Sequence, residues 1–402
     1  MKILFAAMAQ SIHTARWVKH LSDQGWDIHL FDFSESSVCP ELEGVTTHTV
    51  HPPPKKTAKQ NRSYSAYPFR RGAGFVKDRL PKAVGSFFFR SRVNAFVELY
   101  RSLRPDIVHS LEMQNESYPL LEARTILRDE FTAPWIYSSW GSDIYYYQDQ
   151  PGHPDRIRAV LGACNYHIAD CDRDVILAQA YGFAGDLLGV FPTAGSYDVK
   201  WAKGLASSAP PSKRRSIALK GYHHIHGRAL VAIEALSEVK ECLSDYTLEV
   251  YLAAPEVESA ARELASVSGI KLKIVKQVPN SEIVSLMGRS RISVALSVSD
   301  GSPNSLLEAM MVGAFPIQSD TVSTAEWLDD GVNGFLVPPE EPGKTAAAIA
   351  RALSDDALVD SAVTMNYDLM LNRVDTSINK PKIVELYKEV YRRSKAGAAN
   401  HS

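Results

Sequence analysis

The chain has 402 residues, 22% of them charged and 45% hydrophobic, with a formal net charge of −2. That length predicts two domains, each with its own core, and that charge excludes a chain that binds nucleic acid through its overall field. No apolar run reaches the roughly eighteen residues of a membrane-crossing helix, and Cys39, Cys164, Cys171 and Cys242 have neither disulfide nor metal spacing, as expected of reduced thiols in a cytoplasmic protein.

Short apolar runs at 2–7, 27–31, 106–110, 134–138, 167–169 and 187–191 predict strands in the first half. Helical patterns lie between them, as at 14–24 and 117–129. The first run is too short for a signal-peptide core and reads as a buried strand. The loop after it, from Ala9 to Trp17, has no glycine; His13 there faces a ligand or is an ordinary loop histidine, two even readings. From Pro52 to Arg92 the chain carries eleven basic residues and one acid, Asp78, with Tyr64, Tyr67, Phe69, Phe75 and Phe87–Phe89 interleaved. That composition suits an anionic lipid surface or a phosphate-bearing acceptor, and a solvated face is the plain alternative. His109 and Glu112 follow the fourth strand and could line an acceptor pocket, while Trp140-Gly141-Ser142-Asp143 follows the fifth. Asp143 is either a helix cap or a group that points into a cleft.

Small, polar and Pro-bearing residues at 203–212 predict a linker, with the domain boundary between Thr193 and Arg215. Strands at 216–219, 247–252, 271–275, 292–298 and 315–317 then alternate with helices at 227–239, 256–266, 281–289, 305–312 and 344–354. Strand–helix alternation in both halves means α/β architecture, two doubly wound parallel sheets with ligands at the carboxyl ends of the strands. His223, His224 and His226 lack partner cysteines or an acidic pair, so loop histidines are expected there and no metal.

The most informative stretch is Asp300-Gly301-Ser302-Pro303-Asn304-Ser305-Leu306-Leu307-Glu308-Ala309-Met310. It is a strand-to-helix turn with a carboxylate at each end. A helix start offers unpaired N–H groups and the positive end of a dipole, a ready phosphate site. Carboxylates accept from sugar hydroxyls. Phosphate donors flanked by hydroxyl acceptors suit a nucleotide-sugar.

The same stretch resembles the signature of retaining glycosyltransferase family 4, E-x-x-x-x-x-x-x-E within EG-x-P-x-x-x-LEAM, with Asp300 in place of the first Glu and Glu308 as the second. Residues 325–337, from Ala325-Glu326-Trp327 to Asn333-Gly334-Phe335-Leu336-Val337, resemble the family's PE-x-x-x-DG-x-NG-x-LV. Trp140-Gly141-Ser142-Asp143 resembles HG-x-D, with Trp where the family has His. The resemblance implies the GT-B fold: two Rossmann-like domains facing a central cleft, an acceptor-side domain over 1–200, a nucleotide-sugar domain over 201–379, and a terminal helix over 380–402 that crosses back to the first. It implies Asp300, Glu308 and Lys220 as the catalytic set. Glu308 would hold the ribose, Asp300 the donor sugar, and Lys220 the diphosphate. Arg228 would help Lys220, although the order and spacing differ from the family's GR-x-x-x-x-KG. Gly301, Ser302, Asn304, Ser305, Leu306 and Glu326 would complete the donor site, with Ser302, Asn304, Ser305 and Leu306 offering turn and helix-start N–H groups to the phosphates. His13, His109, Glu112, Trp140 and Asp143 would face the acceptor. Trp140 cannot act as a base; by resemblance none is needed, because the diphosphate assists the acceptor proton.

The implied activity is transfer from a nucleotide-sugar, with a UDP-sugar expected, to a hydroxyl of a saccharide or lipid-linked saccharide, without metal or further cofactor. A cytoplasmic protein, peripheral on the membrane through Pro52–Arg92, is the matching location. A UDP-sugar 2-epimerase on the same fold and a non-catalytic binding module of the same fold are the alternatives.

Overall fold

The computed structural model describes residues 1–50, 63–66 and 82–399. Most of the basic, aromatic segment from Pro52 to Arg92 lies outside the described residues. The chain divides into two compact units: residues 1–170, 174–196 and 380–402, and residues 171–173 and 197–379.

The first unit is a wholly parallel sheet. Its strands are β1 (Lys2–Ala6), β2 (Asp27–Phe31), β3 (Thr46–Thr49), β4 (Ser63–Ala66), β5 (Ile107–Leu111), β6 (Trp135–Ser138), β7 (Tyr166–Ala169) and β8 (Asp186–Val190). Their order is β4-β3-β2-β1-β5-β6-β7-β8. Alternate residues of β1 feed opposite faces. Ile3 and Phe5 pack with Trp17, Val18 and Leu21, while Leu4 and Ala6 pack with Phe96 and Val108. A strand covered on both faces must be apolar throughout, which is why these runs do not alternate with polar residues. Helix Thr376–Ala399 enters this unit at Lys380 and lays Ile383, Val384, Tyr387 and Val390 on the Trp17 face. Trp17 Nε1 donates to the Tyr387 hydroxyl at 2.7 Å.

The second unit is also wholly parallel. Its strands are β9 (Ser216–Lys220), β10 (Thr247–Tyr251), β11 (Lys271–Val275), β12 (Ile292–Ala295), β13 (Phe315–Ser319) and β14 (Phe335–Val337), in the order β11-β10-β9-β12-β13-β14. Ile217, Leu219, Leu248, Val250, Ile292, Val294, Phe315 and Ile317 are buried in its core, each contributing on the order of 1.5–3 kcal/mol.

The stretch at 203–212, expected as a linker, is part of this second unit. Ser212 donates through N and Oγ to the Asp360 carboxylate at 2.9 and 2.7 Å, and Arg214 donates to the Gly313 carbonyl at 2.9 Å. Small polar residues there serve close packing. Helix Asp356–Arg373 escaped the periodicity because one position of its buried stripe, Val359, Ala362, Asn366, Met370, is Asn366. That amide is satisfied by Asn333: Asn366 Nδ2 donates to the Asn333 carbonyl and accepts on Oδ1 from Asn333 Nδ2, both at 2.9 Å. Among the described residues, no helix is long and apolar enough to cross a membrane.

Candidate functional site

In each unit the strand order reverses once, between β1 and β5 and between β9 and β12. Loops at the carboxyl ends of such strands diverge there and leave room for a ligand.

In the second unit, the loop after β9 and the turn after β12 flank that point. Helix Asn304–Val312 opens with Pro303 at its N-cap and without a side-chain cap, and closes on Gly313 in the left-handed conformation that glycine adopts readily, φ 71°. The positive end of its dipole is therefore presented at the reversal point. The N–H of Leu306, expected to serve a phosphate, donates instead to the Pro303 carbonyl at 3.0 Å. That of Gly301 donates to Asp300 Oδ1 at 3.0 Å. Both bonds have one cause, since a tight turn and a 3-10-like first helical turn engage N–H groups locally. Asn304 and Ser305 stand at the helix start; Asn304 Oδ1 accepts from the Tyr197 hydroxyl. Ser302 is buried beside them.

Glu308 lies in the second turn of this helix and is 5% exposed. Asn280 Nδ2, from the start of helix Asn280–Gly288, donates to its Oε1 at 3.0 Å. Tyr251, at the end of β10, is within electrostatic reach of that carboxylate. Burial pushes the Tyr251 phenol up, and the Glu308 charge adds to that. Lys220 ends β9 directly opposite Tyr251 in the sheet register. Lys220, Tyr251 and Glu308 thus share the carboxyl edge beside the reversal point. The Lys220 ammonium stands 4.9 Å from the Tyr222 ring centroid. Gly221 permits the loop that follows, because a Cβ there would fall 2.5 Å from Ala253 Cα.

Arg228 does not keep an open guanidinium. Its Nε pairs with Glu340 at 2.9 Å, and Nη1 donates to the carbonyls of Gly227, Ile225 and His224 at 3.0, 3.3 and 3.4 Å. It braces the loop after β9, which is also held to the chain after β12 by Val298 N–H on the His226 carbonyl at 2.9 Å. Glu326 is likewise committed. Its carboxylate accepts from the N–H groups of Asp172 at 3.0 Å and Arg173 at 3.4 Å, and burial pushes its carboxyl up.

In the first unit, Ser11 caps helix Ile12–Lys19, its Oγ accepting from His13 N–H at 3.2 Å. The His13 ring meets Trp140 edge-on, 5.6 Å between centroids. Both are partly exposed, at the carboxyl ends of β1 and β6. Asp143 is buried. Its Oδ2 accepts from Trp140 N–H at 2.8 Å and from the Tyr137 hydroxyl at 2.9 Å. It braces the turn after β6 instead of capping a helix. Burial, then the nearby Glu112 charge, raise its carboxyl well above the usual range.

Glu112 sits at φ 83°, ψ 149°, a region nearly restricted to glycine, and its carboxylate accepts from Gln114 N–H at 2.8 Å and Asn115 N–H at 2.6 Å. Those two bonds hold a backbone that would otherwise relax. Burial pushes its carboxyl up to about 7.

His109 is not at a surface. It is fully buried, Nδ1 2.6 Å from the Tyr387 hydroxyl and Nε2 2.8 Å from Ser138 Oγ, and burial lowers it to about 3. It is a satisfied core histidine: as an interior residue of β5 it turns under helix Thr376–Ala399.

Two carboxyls carry no motif and were not expected. Asp32 Oδ2, at the end of β2, accepts from Ala9 N–H at 2.9 Å and so ties the loops after β1 and β2. Glu116 is wholly buried near Asp32 and Glu112. Burial, then those two charges, raise it well above the usual range. The signal for Asp32 was the Asp-x-Ser-x-Ser run after an apolar strand, whose Ser34 and Ser36 N–H groups it accepts at 2.7 and 3.1 Å. Among the described residues no cluster of His, Cys, Asp and Glu could hold a metal.

Residues 220–355 match a family model described as "Glycosyl transferases group 1", and residues 2–70 one described as "Glycosyl transferase 4-like". A GDP-mannose:cellobiosyl-diphosphopolyprenol alpha-mannosyltransferase of Komagataeibacter xylinus is 27% identical over 199 residues, 47% of this chain and 48% of that protein. The match thus spans about half the length of that relative. Among solved structures, sucrose-phosphate synthase from Thermosynechococcus elongatus superposes with a TM-score of 0.72 at 14% identity, over 98% of this chain and all of that one. HepE of Anabaena in complex with UDP-glucose gives 0.65 at 14% identity, over 97% of this chain and all of that one. At such identities the structures carry the fold, and it is GT-B. With matches at both ends and two parallel α/β units, the chain belongs to the group 1 glycosyltransferases of the GT-B fold.

Proposed function

We propose that this enzyme moves a hexosyl group, with retention at the anomeric carbon, from a nucleoside-diphosphate sugar to a hydroxyl of a saccharide or lipid-linked saccharide. The observation that carries this is the buried Glu308, oriented by Asn280 and placed with Tyr251 and Lys220 beside a helix start. In the reaction the acceptor oxygen bonds to the anomeric carbon, the bond from that carbon to the diphosphate breaks, and the acceptor proton goes to the leaving diphosphate. Glu308 holds the ribose and Asp300 the transferred sugar. Lys220 and the helix start meet the charge that grows on the diphosphate, the kind of aimed stabilisation that dominates such transfers.

A uridine donor is the reading favoured by the solved complex of HepE with UDP-glucose. A guanosine donor is the second reading, because the curated relative is named for GDP-mannose. A panel of UDP-, GDP-, ADP- and dTDP-sugars, read by hydrolysis and by the rise in Tm that a bound donor gives, tests both. No hydrolysis and no Tm shift with any of them would overturn the reading. The charge from Pro52 to Arg92, eleven basic residues against one acid, supports attachment to the anionic cytoplasmic face of a membrane, as a lipid-linked acceptor requires. Sedimentation with phosphatidylserine vesicles at low and high salt tests that part; no binding at low salt would exclude it.

A further inference from the structure

No motif marks Arg173, yet it reaches the turn that carries Asp300. It is 7% exposed and belongs to the second unit with Cys171 and Asp172. Its Nη1 donates to the Asp300 carbonyl at 2.8 Å and to the Thr321 carbonyl at 2.9 Å. Ser323 Oγ donates to the same Asp300 carbonyl at 3.0 Å. One buried nitrogen therefore ties the turn after β12 to the turn after β13. Arg173 is itself fixed, because Glu326 accepts from its N–H and from that of Asp172.

We propose that Arg173 is a positioning residue of the transferase: it sets the peptide of Asp300 and, through it, the direction of the carboxylate that meets the donor sugar. The proposal rests on the donor-site reading above. The Asp300 peptide needs an external anchor because its next residue is Gly301, which places almost no steric limit on rotation. A guanidinium and a hydroxyl together occupy both lone pairs of the Asp300 carbonyl, and the charged donor makes the stronger bond. Lysine would not substitute, since its ammonium swings on a flexible stem, whereas the planar guanidinium holds Nη1, the nitrogen that meets both carbonyls, in a fixed orientation. The ribose end is anchored separately. Glu308 lies within helix Asn304–Val312, whose first turn is closed on the Pro303 carbonyl by Leu306 and Leu307. Loss of Arg173 should therefore disturb the sugar end and spare the nucleotide end.

The test compares wild type, Arg173→Lys, Ser323→Ala, Asp300→Ala and the Arg173→Lys/Asp300→Ala double variant. Turnover is measured with the nucleotide-sugar that the panel selects. Affinity is measured by calorimetry with UDP or GDP, whichever binds the wild type. Arg173→Lys should lower kcat about tenfold or more with the nucleotide Kd within about threefold, and should cost nothing further on the Asp300→Ala background. Ser323→Ala, the milder change, should show the same split at smaller size, and it carries the test if Arg173→Lys does not fold. Unchanged kcat, an equal loss of nucleotide affinity, or multiplying effects in the double variant would overturn the proposal. Wild-type turnover by Asp300→Ala would instead sink the donor-site reading itself.

Discussion

Asn280 Nδ2 donates to Glu308 Oε1 over 3.0 Å, from the first turn of one helix to the second turn of another. The bond fixes the rotation of a buried carboxylate beside a strand end. Glu308→Ala should lower kcat/KM roughly 10- to 150-fold, the loss of charge-assisted hydrogen bonds of about 1.5–3 kcal/mol, with the fold retained by circular dichroism. Asn280→Ala should give a smaller loss in the same direction. Wild-type turnover by folded Glu308→Ala would remove Glu308 from the site.

Lys220 and Arg228 should separate. Lys220→Ala should weaken donor affinity by about tenfold or more, as loss of a phosphate-facing cation does. Arg228→Ala should act mainly on stability, because its guanidinium holds Glu340 and three loop carbonyls. Donor KM and Tm for the two variants decide this. A larger KM effect at Arg228 would return it to the diphosphate.

Activity should persist in excess EDTA, since Lys220 and the helix start are assigned the diphosphate charge. Loss of turnover that Mg²⁺ restores would overturn that assignment.

Glu112 makes stability depend on pH in a defined sense. Its carboxyl rises from 4.5 to about 7 on folding through burial, so the folded state holds the proton more tightly. The contribution, of order 3 kcal/mol, is complete below about 4.5 and lost as pH rises through about 7. Asp143 and Glu116 are displaced in the same direction. Glu112→Gln should flatten the fall of Tm between about pH 4.5 and 7. It should also lower Tm overall, because an amide has one acceptor oxygen for the two N–H groups of Gln114 and Asn115. An unaltered slope would show that Glu112 is ionised throughout.

His109 has the opposite sign. Burial lowers it from 6.5 to about 3, so its contribution is present above about 6.5 and lost as pH falls toward 3. His109→Phe should lose that acid sensitivity while costing about 1–3 kcal/mol at neutral pH, because Tyr387 and Ser138 lose a buried partner. Denaturant unfolding at pH 5 and 7 reads both effects. Folded His109→Phe should keep its kcat; a selective loss of turnover would put His109 in the site.

The alternation of apolar runs with helical patterns by itself determined two parallel α/β units, because a strand covered on both faces must be apolar and a crossover helix must separate parallel neighbours. The run from Asp300 to Met310 likewise determined a strand, a turn and a helix, with Glu308 inside it. Only the tertiary structure decided what the polar side chains do. His109 reads like an acceptor-side histidine until Tyr387, 278 positions away, covers it. Arg228 reads like a phosphate ligand in the sequence, which could not show that Glu340, 112 positions away, pairs with it. Asn366 hides a helix stripe until Asn333 satisfies its amide. Arg173 stands outside every motif until its guanidinium meets the carbonyls of Asp300 and Thr321, 127 and 148 positions on. Backbone conformation follows from neighbours in the chain, and sequence records those directly. A buried polar group takes whichever partner folding brings within about 3 Å, and that choice is made across the sheet.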